Sequence, residues 1–252
     1  MKPKSHKIRL DRLLLERGLS PSREQAKALI MAGAVLVADR MIDKAGTLVA
    51  QDVDLRIKGE QNPYVGRGGL KLKGALQAFA VPVRDVIALD VGASTGGFTD
   101  CLLQEGAKKV YALDVGYGQL AWKIRSDERV VVIERTNIRY YDGKDLQDDL
   151  DLATIDASFI SLKLVIPAVM GLLKKDAFIL ALIKPQFEVG KQDIEKNGVV
   201  KNPVLHQRVI AEIETFCRGL NLDVLGLCES PILGPAGNKE FFIYLKTRRG
   251  AD

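Results

Sequence analysis

The sequence predicts an α/β protein in which helices cover both faces of a mostly parallel, seven-stranded sheet, preceded by a small α+β domain. An apolar, β-branched run over 86–91 leads through a Gly-rich turn directly into a helical pattern. Strand patterns alternate with helical patterns from there to the end of the chain, as in doubly wound sheets. The first quarter differs, because residues 1–67 carry 13 Lys and Arg against 8 Asp and Glu, while residues 68–252 carry 24 of each.

The first 60 residues are expected to form two helices and then short strands. Apolar residues at helical spacing predict a helix over 8–18 that ends at Gly18, and a second helix that starts within 20–22. Short strands are predicted over 35–37 and 52–57, the second because its apolar residues alternate with polar ones. This order of elements indicates a small domain distinct from the sheet that follows.

A glycine-rich segment separates the two parts of the chain. Residues 59–69 include four Gly and one Pro, a composition typical of linkers and turns. We therefore expect a first domain over 1–60, a linker over 61–69 and a second domain over 70–252.

The second domain is expected to contain the seven strands of a Rossmann-like sheet. A helix from residue 70 precedes the first strand, an almost wholly apolar helix covers 161–173, and Pro203 starts another helix. The last two strands are expected to form an antiparallel edge. The predicted strands cover 86–91, 110–113, 130–133, 151–156, 178–183, 222–227 and 241–245.

The Gly-rich turn after the first of these strands predicts a nucleotide site. Its spacing, Gly92-x-x-x-Gly96-Gly97, differs from the G-x-G-x-x-G of dinucleotide sites, and no Gly-Lys-Ser/Thr of a P-loop follows. Asp114 ends the second strand, where its carboxylate can accept hydrogen bonds from both ribose hydroxyls of an adenosine. S-adenosylmethionine (SAM) has no pyrophosphate and does not need the dinucleotide spacing. SAM is therefore the predicted ligand, with an NAD enzyme disfavoured and a Gly-rich turn without a ligand as the alternative. The turn residues expected to contact SAM are Gly92, Ala93, Ser94, Thr95, Gly96 and Gly97.

The excess positive charge of the first domain predicts a polyanionic partner. Arg9 and Arg12 are three residues apart in one predicted helix, and Arg23 and Lys27 are four apart in the next, so that each pair shares a face. Two basic faces of this kind suit the phosphates of structured RNA. The alternative is a basic face exposed only to solvent.

The first domain resembles the small RNA-binding domain of the ribosomal protein S4 type. The segments that carry the resemblance are residues 9–14 (Arg-Leu-Asp-Arg-Leu-Leu), 22–30 (Ser-Arg-Glu-Gln-Ala-Lys-Ala-Leu-Ile) and 33–37 (Gly-Ala-Val-Leu-Val). The turn over 38–40 reads Ala-Asp-Arg, where the family commonly has Val-Asn-Gly. The resemblance implies RNA binding.

Four charged residues are expected at the carboxyl edge of the parallel strands, where ligands bind in open sheets. Asp156 and Lys184 end two strands, Glu240 precedes the last strand and Lys71 lies in the first helix of the domain. A lysine close to a second lysine and to apolar walls loses its proton more readily than a free one. Lys184 is therefore predicted to be the general base for a weakly acidic alcohol such as a ribose 2′-hydroxyl.

Six motifs together resemble the TlyA family, which joins an S4-type domain to an FtsJ-like methyltransferase domain. They lie over 90–99, 114–122, 134–137, 156–161, 184–190 and 237–240, and the match covers nearly the whole chain. The family is annotated both as haemolysins and as ribosomal RNA 2′-O-methyltransferases acting on cytidines. The resemblance implies SAM as the cofactor and ribosomal RNA or ribosomal subunits as the partner.

Carried over residue by residue, the resemblance also implies a catalytic tetrad and further cofactor contacts. The tetrad consists of Lys71, Asp156, Lys184 and Glu240. The further residues expected at SAM are Asp90, Phe98, Asn137 and Asp156. The turn at Ser158 and Phe159 is expected near the methyl and adenine ends of SAM.

Two hypotheses of other classes remain: a membrane-active haemolysin, and an RNA-binding protein that holds SAM without catalysis. No apolar run reaches the length of a membrane span and no signal-peptide core follows the basic N-terminus, so we expect a cytoplasmic protein without membrane contact. The three cysteines form no C-x-x-C pair, so neither a metal site nor a disulfide framework is expected.

Overall fold

The computed structural model describes residues 7–58, 62–195, 197–234 and 236–248. It divides the chain into two compact units, residues 1–61 and residues 62–252. Among the described residues, no helix has the length and apolar character needed to cross a membrane.

The first unit packs two short helices against small antiparallel sheets. Strand β1 pairs with β4, while β2 lies between β3 and β5. Buried leucines of α1, Ala26 and Ile30 of α2, and valines and Leu55 of the strands form its core. The elements in chain order are β1 (Lys7–Arg9), α1 (Leu10–Glu16), α2 (Arg23–Met31), β2 (Val35–Val37), β3 (Arg40–Met41), β4 (Leu48–Ala50) and β5 (Leu55–Ile57).

The predicted start of the first helix is wrong by two residues. Arg9 belongs to β1 and precedes α1 as its N-terminal cap, so it does not share a helix face with Arg12. The cause is a strand pairing that the local pattern does not show, since Arg9 pairs with Leu48. The helix ends as predicted, with Gly18 in the left-handed region at φ +68°.

The second unit is built on a seven-stranded sheet with the order β11-β12-β10-β9-β6-β7-β8. The pairs among β8, β7, β6, β9 and β10 are parallel, and β12 is antiparallel to both β10 and β11. The last strand is therefore inserted between β10 and β11, so that of the last two strands only β11 lies at an edge of the sheet. The strands are β6 (Ile87–Val91), β7 (Lys109–Leu113), β8 (Val130–Ile133), β9 (Leu150–Ile155), β10 (Leu173–Ile183), β11 (Leu222–Glu229) and β12 (Phe241–Thr247).

Helices cover both faces of this sheet, and each face has its own apolar core. Alternate residues of a strand point to opposite faces, as Leu180 and Leu182 point to one core and Ile179 and Ile183 to the other. Helices α3 and α4 pack on the first of these cores and α6 and α8 on the second. The helices are α3 (Gly68–Phe79), α4 (Gly97–Gln104), α5 (Trp122–Arg125), α6 (Leu162–Met170), α7 (Pro185–Glu188) and α8 (Pro203–Gly219).

Two element boundaries in the second unit differ from the prediction by three residues or more. Helix α6 ends at Met170, and β10 begins at Leu173, five residues before its predicted start. The apolar run through Leu173 gave no signal for the change from helix to strand.

Residues 62–69 of the predicted linker belong to the second unit and pack against its helix α4. Tyr64 is buried, and the backbone N–H of Val65 donates to Asp100 Oδ2 at 2.9 Å. Gly68 of this segment permits close contact with α4, because a Cβ on Gly68 would lie 3.1 Å from Phe98 Cδ1. Residue 61 of the predicted linker lies outside the described residues.

Candidate active site

The strand order reverses between β6 and β9, and the candidate site lies beyond their carboxyl ends. Ligands of open α/β sheets bind at such a switch point. Gly92 follows β6 with φ +85°, and a Cβ there would lie 2.7 Å from the backbone oxygen of Asp156. Only glycine therefore lets the two strand ends come so close.

A cavity of about 1010 Å³ opens at this point. We call it the Asp114 cavity; its walls include Gly92, Asp114, Asn137 and Asp156. The Asp114 carboxylate accepts hydrogen bonds at 2.7 Å from the backbone N–H groups of Ser94 and Gly116. A carboxylate has about four acceptor positions, so two remain for ligand hydroxyls.

The structure brings most of the predicted cofactor residues to this region. Gly92, Ser94, Asp114, Asn137 and Asp156 line the Asp114 cavity. A small adjoining cavity of about 110 Å³ is lined by Ala93, Thr95, Gly97 and Phe98.

Gly96 and Asp90 do not line these cavities. Gly96 has φ +94° and faces Leu120 and Ile124. The fully buried Asp90 carboxylate accepts hydrogen bonds from Thr99 Oγ1 at 2.7 Å and Thr154 Oγ1 at 3.1 Å. Burial raises the pKa of Asp90 to about 7. The hydrogen bonds of Asp90 therefore link the end of β6 to β9 and to α4.

A second cavity, of about 610 Å³, contains all four residues of the predicted tetrad. We call it the lysine cavity; it shares Gly92, Asp156 and Ser158 with the Asp114 cavity, so the two are adjacent. Lys71 of α3 donates to Glu240 Oε2 at 2.6 Å, and both side chains are buried. Glu240 reaches this edge because β12 is antiparallel, which places Phe241 beside Ile183 and Glu240 near Lys184.

Lys184 lines the lysine cavity, and its contacts Asp156, Ser158 and Phe187 line both cavities. Its Nζ is 2.6 Å from Asp156 Oδ1, an ion pair that is close but not aligned as a hydrogen bond. The same Nζ donates to Ser158 Oγ at 2.8 Å and lies 3.4 Å from the backbone oxygen of Asp156. The ring of Phe187 lies on another side, its centroid 5.9 Å from Nζ. The amine is thus held by polar groups of one turn and shielded by an aromatic ring.

The sequence-based prediction missed two polar contributors to this site. One is Ser158, whose Oγ accepts a hydrogen bond from Lys184 Nζ, and the other is Gln186, which lines both cavities. The side-chain oxygen Oε1 of Gln186 and that of Glu240 are buried without a hydrogen-bond partner among the described residues. The available sequence signal was their position: Ser158 lies two residues after Asp156, and Gln186 lies two residues after Lys184.

Phe159 stands at the mouth of both cavities. Its side chain is 90% exposed, its backbone is left-handed at φ +63°, and its ring centroid lies 5.0 Å from that of Phe187. Exposure of a large ring and an unfavourable backbone angle both cost free energy, a combination found at binding sites.

The predicted RNA-binding residues of the first unit are exposed, but their contacts differ from those expected. Arg9 and Arg23 both bond to the carboxylate of Asp11, whereas Arg12 pairs with Glu16 at 2.8 Å. Lys27 is exposed on α2. The arginines therefore group as Arg9 with Arg23, not as Arg9 with Arg12.

Family models match both units of the chain. The model described as FtsJ-like methyltransferase matches residues 64–247, and that of the S4 domain matches residues 8–54. The chain belongs to the TlyA family of FtsJ-like methyltransferases. TlyA of Mycobacterium tuberculosis (strain H37Rv), named a 16S/23S rRNA (cytidine-2′-O)-methyltransferase, is 44% identical over 97% of this chain and 91% of its own length.

Two further relatives support this membership. YqxC of Bacillus subtilis is 50% identical over 96% of this chain and 86% of its own length. A solved structure from Streptococcus thermophilus, described as a hemolysin, is 44% identical, with a TM-score of 0.77 over 98% of this chain and 90% of that one. The predicted family and fold are thereby confirmed, and the chain is a methyltransferase.

Proposed function

We propose that this protein methylates a ribose 2′-oxygen of ribosomal RNA with SAM as methyl donor and Lys184 as general base. The observation that carries the proposal is the position of the Lys184 amine: it lines the cavity with paired charges and contacts Asp156 and Ser158, which also line the neighbouring cavity suited to an adenosine. A base must lie within hydrogen-bond reach of the proton that it takes and close to where the methyl group arrives. The junction of the two cavities is such a place.

The residues of the Asp114 cavity fit SAM. Gly92 permits close approach to the backbone, and Asp114 retains acceptor positions for the ribose hydroxyls. The cavity of about 1010 Å³ is at the upper end of the usual range for ligand sites. SAM, when bound, supplies an electrophilic methyl group. Gly92, Ser94, Asp114 and Asn137 would hold it, and Asp156 would stand between it and the lysine cavity.

The amine of Lys184 can then accept the proton of the 2′-hydroxyl. A neutral amine has two N–H groups and one lone pair, and the backbone oxygen of Asp156 and Ser158 Oγ are placed to accept hydrogen bonds from the two N–H groups. The lone pair is left for the hydroxyl. As the 2′-oxygen bonds to the methyl group and the bond from that methyl to the sulfonium sulfur breaks, leaving S-adenosylhomocysteine, the hydroxyl proton passes to Nζ, and Lys184 returns it to solvent after the product leaves.

Lys71 and Glu240 would orient the ribose from the opposite wall. Their buried pair leaves Glu240 Oε1 without a partner among the described residues, so it can accept a hydrogen bond from a sugar hydroxyl. The exposed ring of Phe159 offers a face on which the base of the target nucleotide can stack. Each member of the tetrad thereby has a proposed role: Lys71, Asp156, Lys184 and Glu240.

The RNA partner is proposed from the first unit and the relatives. An S4 domain with the chain's excess of positive charge suits RNA phosphates, and the TlyA relative is named for cytidine 2′-O-methylation of ribosomal RNA. Ribosomal RNA, as subunits or as the intact ribosome, is the substrate proposed here.

The test is methyl transfer to ribosomal subunits and ribosomes from labelled SAM, followed by nucleoside analysis. We expect a 2′-O-methylated cytidine, and a decrease in turnover of about 10²–10⁴-fold for Lys184→Ala with little change in SAM affinity. Lys184→Arg should be as inactive, because a guanidinium does not give up its proton. Lys174→Ala is the matched control, since Lys174 lies at the other end of β10. Near-normal turnover of Lys184→Arg would exclude the base role, and a methylated base instead of a ribose would exclude the proposed reaction.

A further inference from the structure

One carboxylate in the first unit holds two of the proposed RNA-binding arginines. Asp11 is fully buried in the first turn of α1. Arg9 binds it with two nitrogens, Nε to Oδ1 at 3.0 Å and Nη2 to Oδ2 at 3.1 Å, and Arg23 Nε donates to Oδ2 at 2.9 Å. The backbone N–H of Arg12 donates to Oδ1 at 3.0 Å. Four donors thus use all of the acceptor positions of the carboxylate.

This arrangement sets the distance between the two guanidinium groups. Arg9 Nη2 and Arg23 Nε both contact Asp11 Oδ2, so the two nitrogens lie no more than about 6 Å apart. Two like charges at such a distance repel, and the buried anion between them offsets the repulsion. Arg9 and Arg23 come from the residues directly before α1 and at the start of α2. Asp11 therefore brings together two guanidinium groups that belong to different secondary-structure elements and are not neighbours in the sequence.

The outer sides of both arginines remain exposed. Their side chains are 46% and 54% accessible, against 0% for Asp11. A guanidinium has five N–H donors, and Arg9 uses two of its nitrogens on Asp11 while Arg23 uses one. Within residues 7–58 no other acceptor for these two side chains is seen. The remaining donors are available to an anion outside.

We infer that Asp11 is a positioning residue for RNA binding: it holds Arg9 and Arg23 as a preformed pair of phosphate-binding groups. The inference rests on the proposed function, in which the first unit binds RNA. A preformed fork loses less side-chain entropy on binding than two free arginines do, and its donors are already directed outward. Removing the negative charge of Asp11 should therefore weaken the binding of a polyanion, although it makes the unit more positive.

The test is whether replacing Asp11 weakens or strengthens RNA binding. Binding of purified ribosomal RNA is measured over a salt series for the full-length protein, Asp11→Asn and the control Asp43→Asn. Asp43 is exposed in the same unit, and its replacement changes the net charge by the same amount. If the arginines act only through charge, both variants bind equally or more tightly than the wild type. We expect Asp11→Asn to bind about tenfold more weakly and Asp43→Asn to bind as the wild type or slightly more tightly.

A double-mutant cycle separates positioning from a general loss of stability. Arg23→Ala should weaken RNA binding in the wild type and much less in Asp11→Asn, because the pair is already broken. Leu13→Ala, a core variant of the same unit, shows what loss of thermal stability alone does to binding.

The inference is overturned if Asp11→Asn binds RNA as tightly as Asp43→Asn. It is also overturned if Asp11→Asn loses no more affinity than Leu13→Ala at an equal loss of thermal stability, or if Arg23→Ala has the same effect in both backgrounds. A wild-type protein that fails to bind ribosomal RNA would remove the proposed function as well, which distinguishes the two failures.

Discussion

At the scale of single residues, the candidate site depends on which polar atoms are already occupied. The Asp114 carboxylate has two acceptor positions filled by backbone N–H groups and retains two, whereas the buried Asp90 is enclosed by threonine hydroxyls. Both acids belong to the strand ends that form the nucleotide turn. Their contacts indicate opposite roles, one toward the ligand and one toward the fold.

Asp114→Ala should weaken SAM binding by about 1–3 kcal/mol, because hydrogen bonds to a charged acceptor are lost. Calorimetric titration with SAM measures the effect. Asp142→Ala, an acid of the same unit outside both cavities, is the control and should bind SAM normally. Unchanged affinity in Asp114→Ala would remove this residue from the SAM site.

Asp90→Asn should gain stability relative to the wild type as the pH rises. The pKa of Asp90 is about 7 in the folded protein, above its ordinary value of 3.8, so the folded state holds a proton that the unfolded state has released. Wild-type stability therefore falls as the pH rises from about 4 through 7, by up to about 4 kcal/mol. Asparagine does not ionise and lacks this loss. Thermal unfolding at pH 5 and pH 8 measures it, and a difference between variant and wild type that is the same at both pH values would contradict the prediction.

At the scale of elements, the carboxylate of Glu188 joins two segments near Lys184: the turn that precedes α6 and the short helix α7. Glu188 at the end of α7 accepts hydrogen bonds from Ser161 Oγ at 2.6 Å and from the backbone N–H of Leu162 at 2.8 Å, at the start of α6. Burial raises the pKa of Glu188. Glu188 thus holds the turn at Ser158 and the segment that follows Lys184 together through contacts that do not involve the Lys184 amine.

Glu188→Ala should destabilise the protein by about 1–3 kcal/mol and weaken SAM binding, because two partly buried donors lose their acceptor and the turn at Ser158 loses its support. Glu188→Gln keeps an acceptor and should retain more of both properties. Thermal unfolding and SAM titration measure the two effects. Glu229→Ala, an exposed acid paired with Lys239, should change stability by less than about 0.5 kcal/mol. Equal behaviour of Glu188→Ala and Glu229→Ala would show that the contact has no such function.

At the scale of the whole molecule, the excess positive charge and the candidate catalytic residues lie in different parts of the chain. The excess of Lys and Arg lies within residues 1–67, while the tetrad and the Asp114 cavity lie in the second unit. Binding of RNA and binding of SAM should accordingly respond to different substitutions.

Arg12→Ala should lower the slope of log affinity for ribosomal RNA against log salt by about one unit if Arg12 contacts one phosphate. SAM affinity should not change, because Arg12 is in the first unit and pairs only with the exposed Glu16 among the described residues. Filter binding at several salt concentrations and a SAM titration give the two values. An unchanged slope would remove Arg12 from the RNA contacts.

The sequence by itself determined the features that depend on neighbouring residues. The strand–turn–helix at Gly92, the acid that ends β7 and the alternation of strands and helices are local patterns of burial and backbone freedom. They predicted the doubly wound sheet and, with the motifs, the family, both of which are confirmed, whereas the nucleotide ligand of the Gly-rich turn stays a prediction.

Only the tertiary structure decided which side chains meet. The hydrogen bond of Lys71 to Glu240 joins residues 169 positions apart, and the strand pairing of Arg9 with Leu48 took Arg9 out of its predicted helix. The bond of Ser158 to Lys184 likewise depends on where β9 and β10 end in the sheet. Strands of two or three residues and contacts between distant segments are stabilised by their partners and not by their own sequence, so a local pattern does not reveal them.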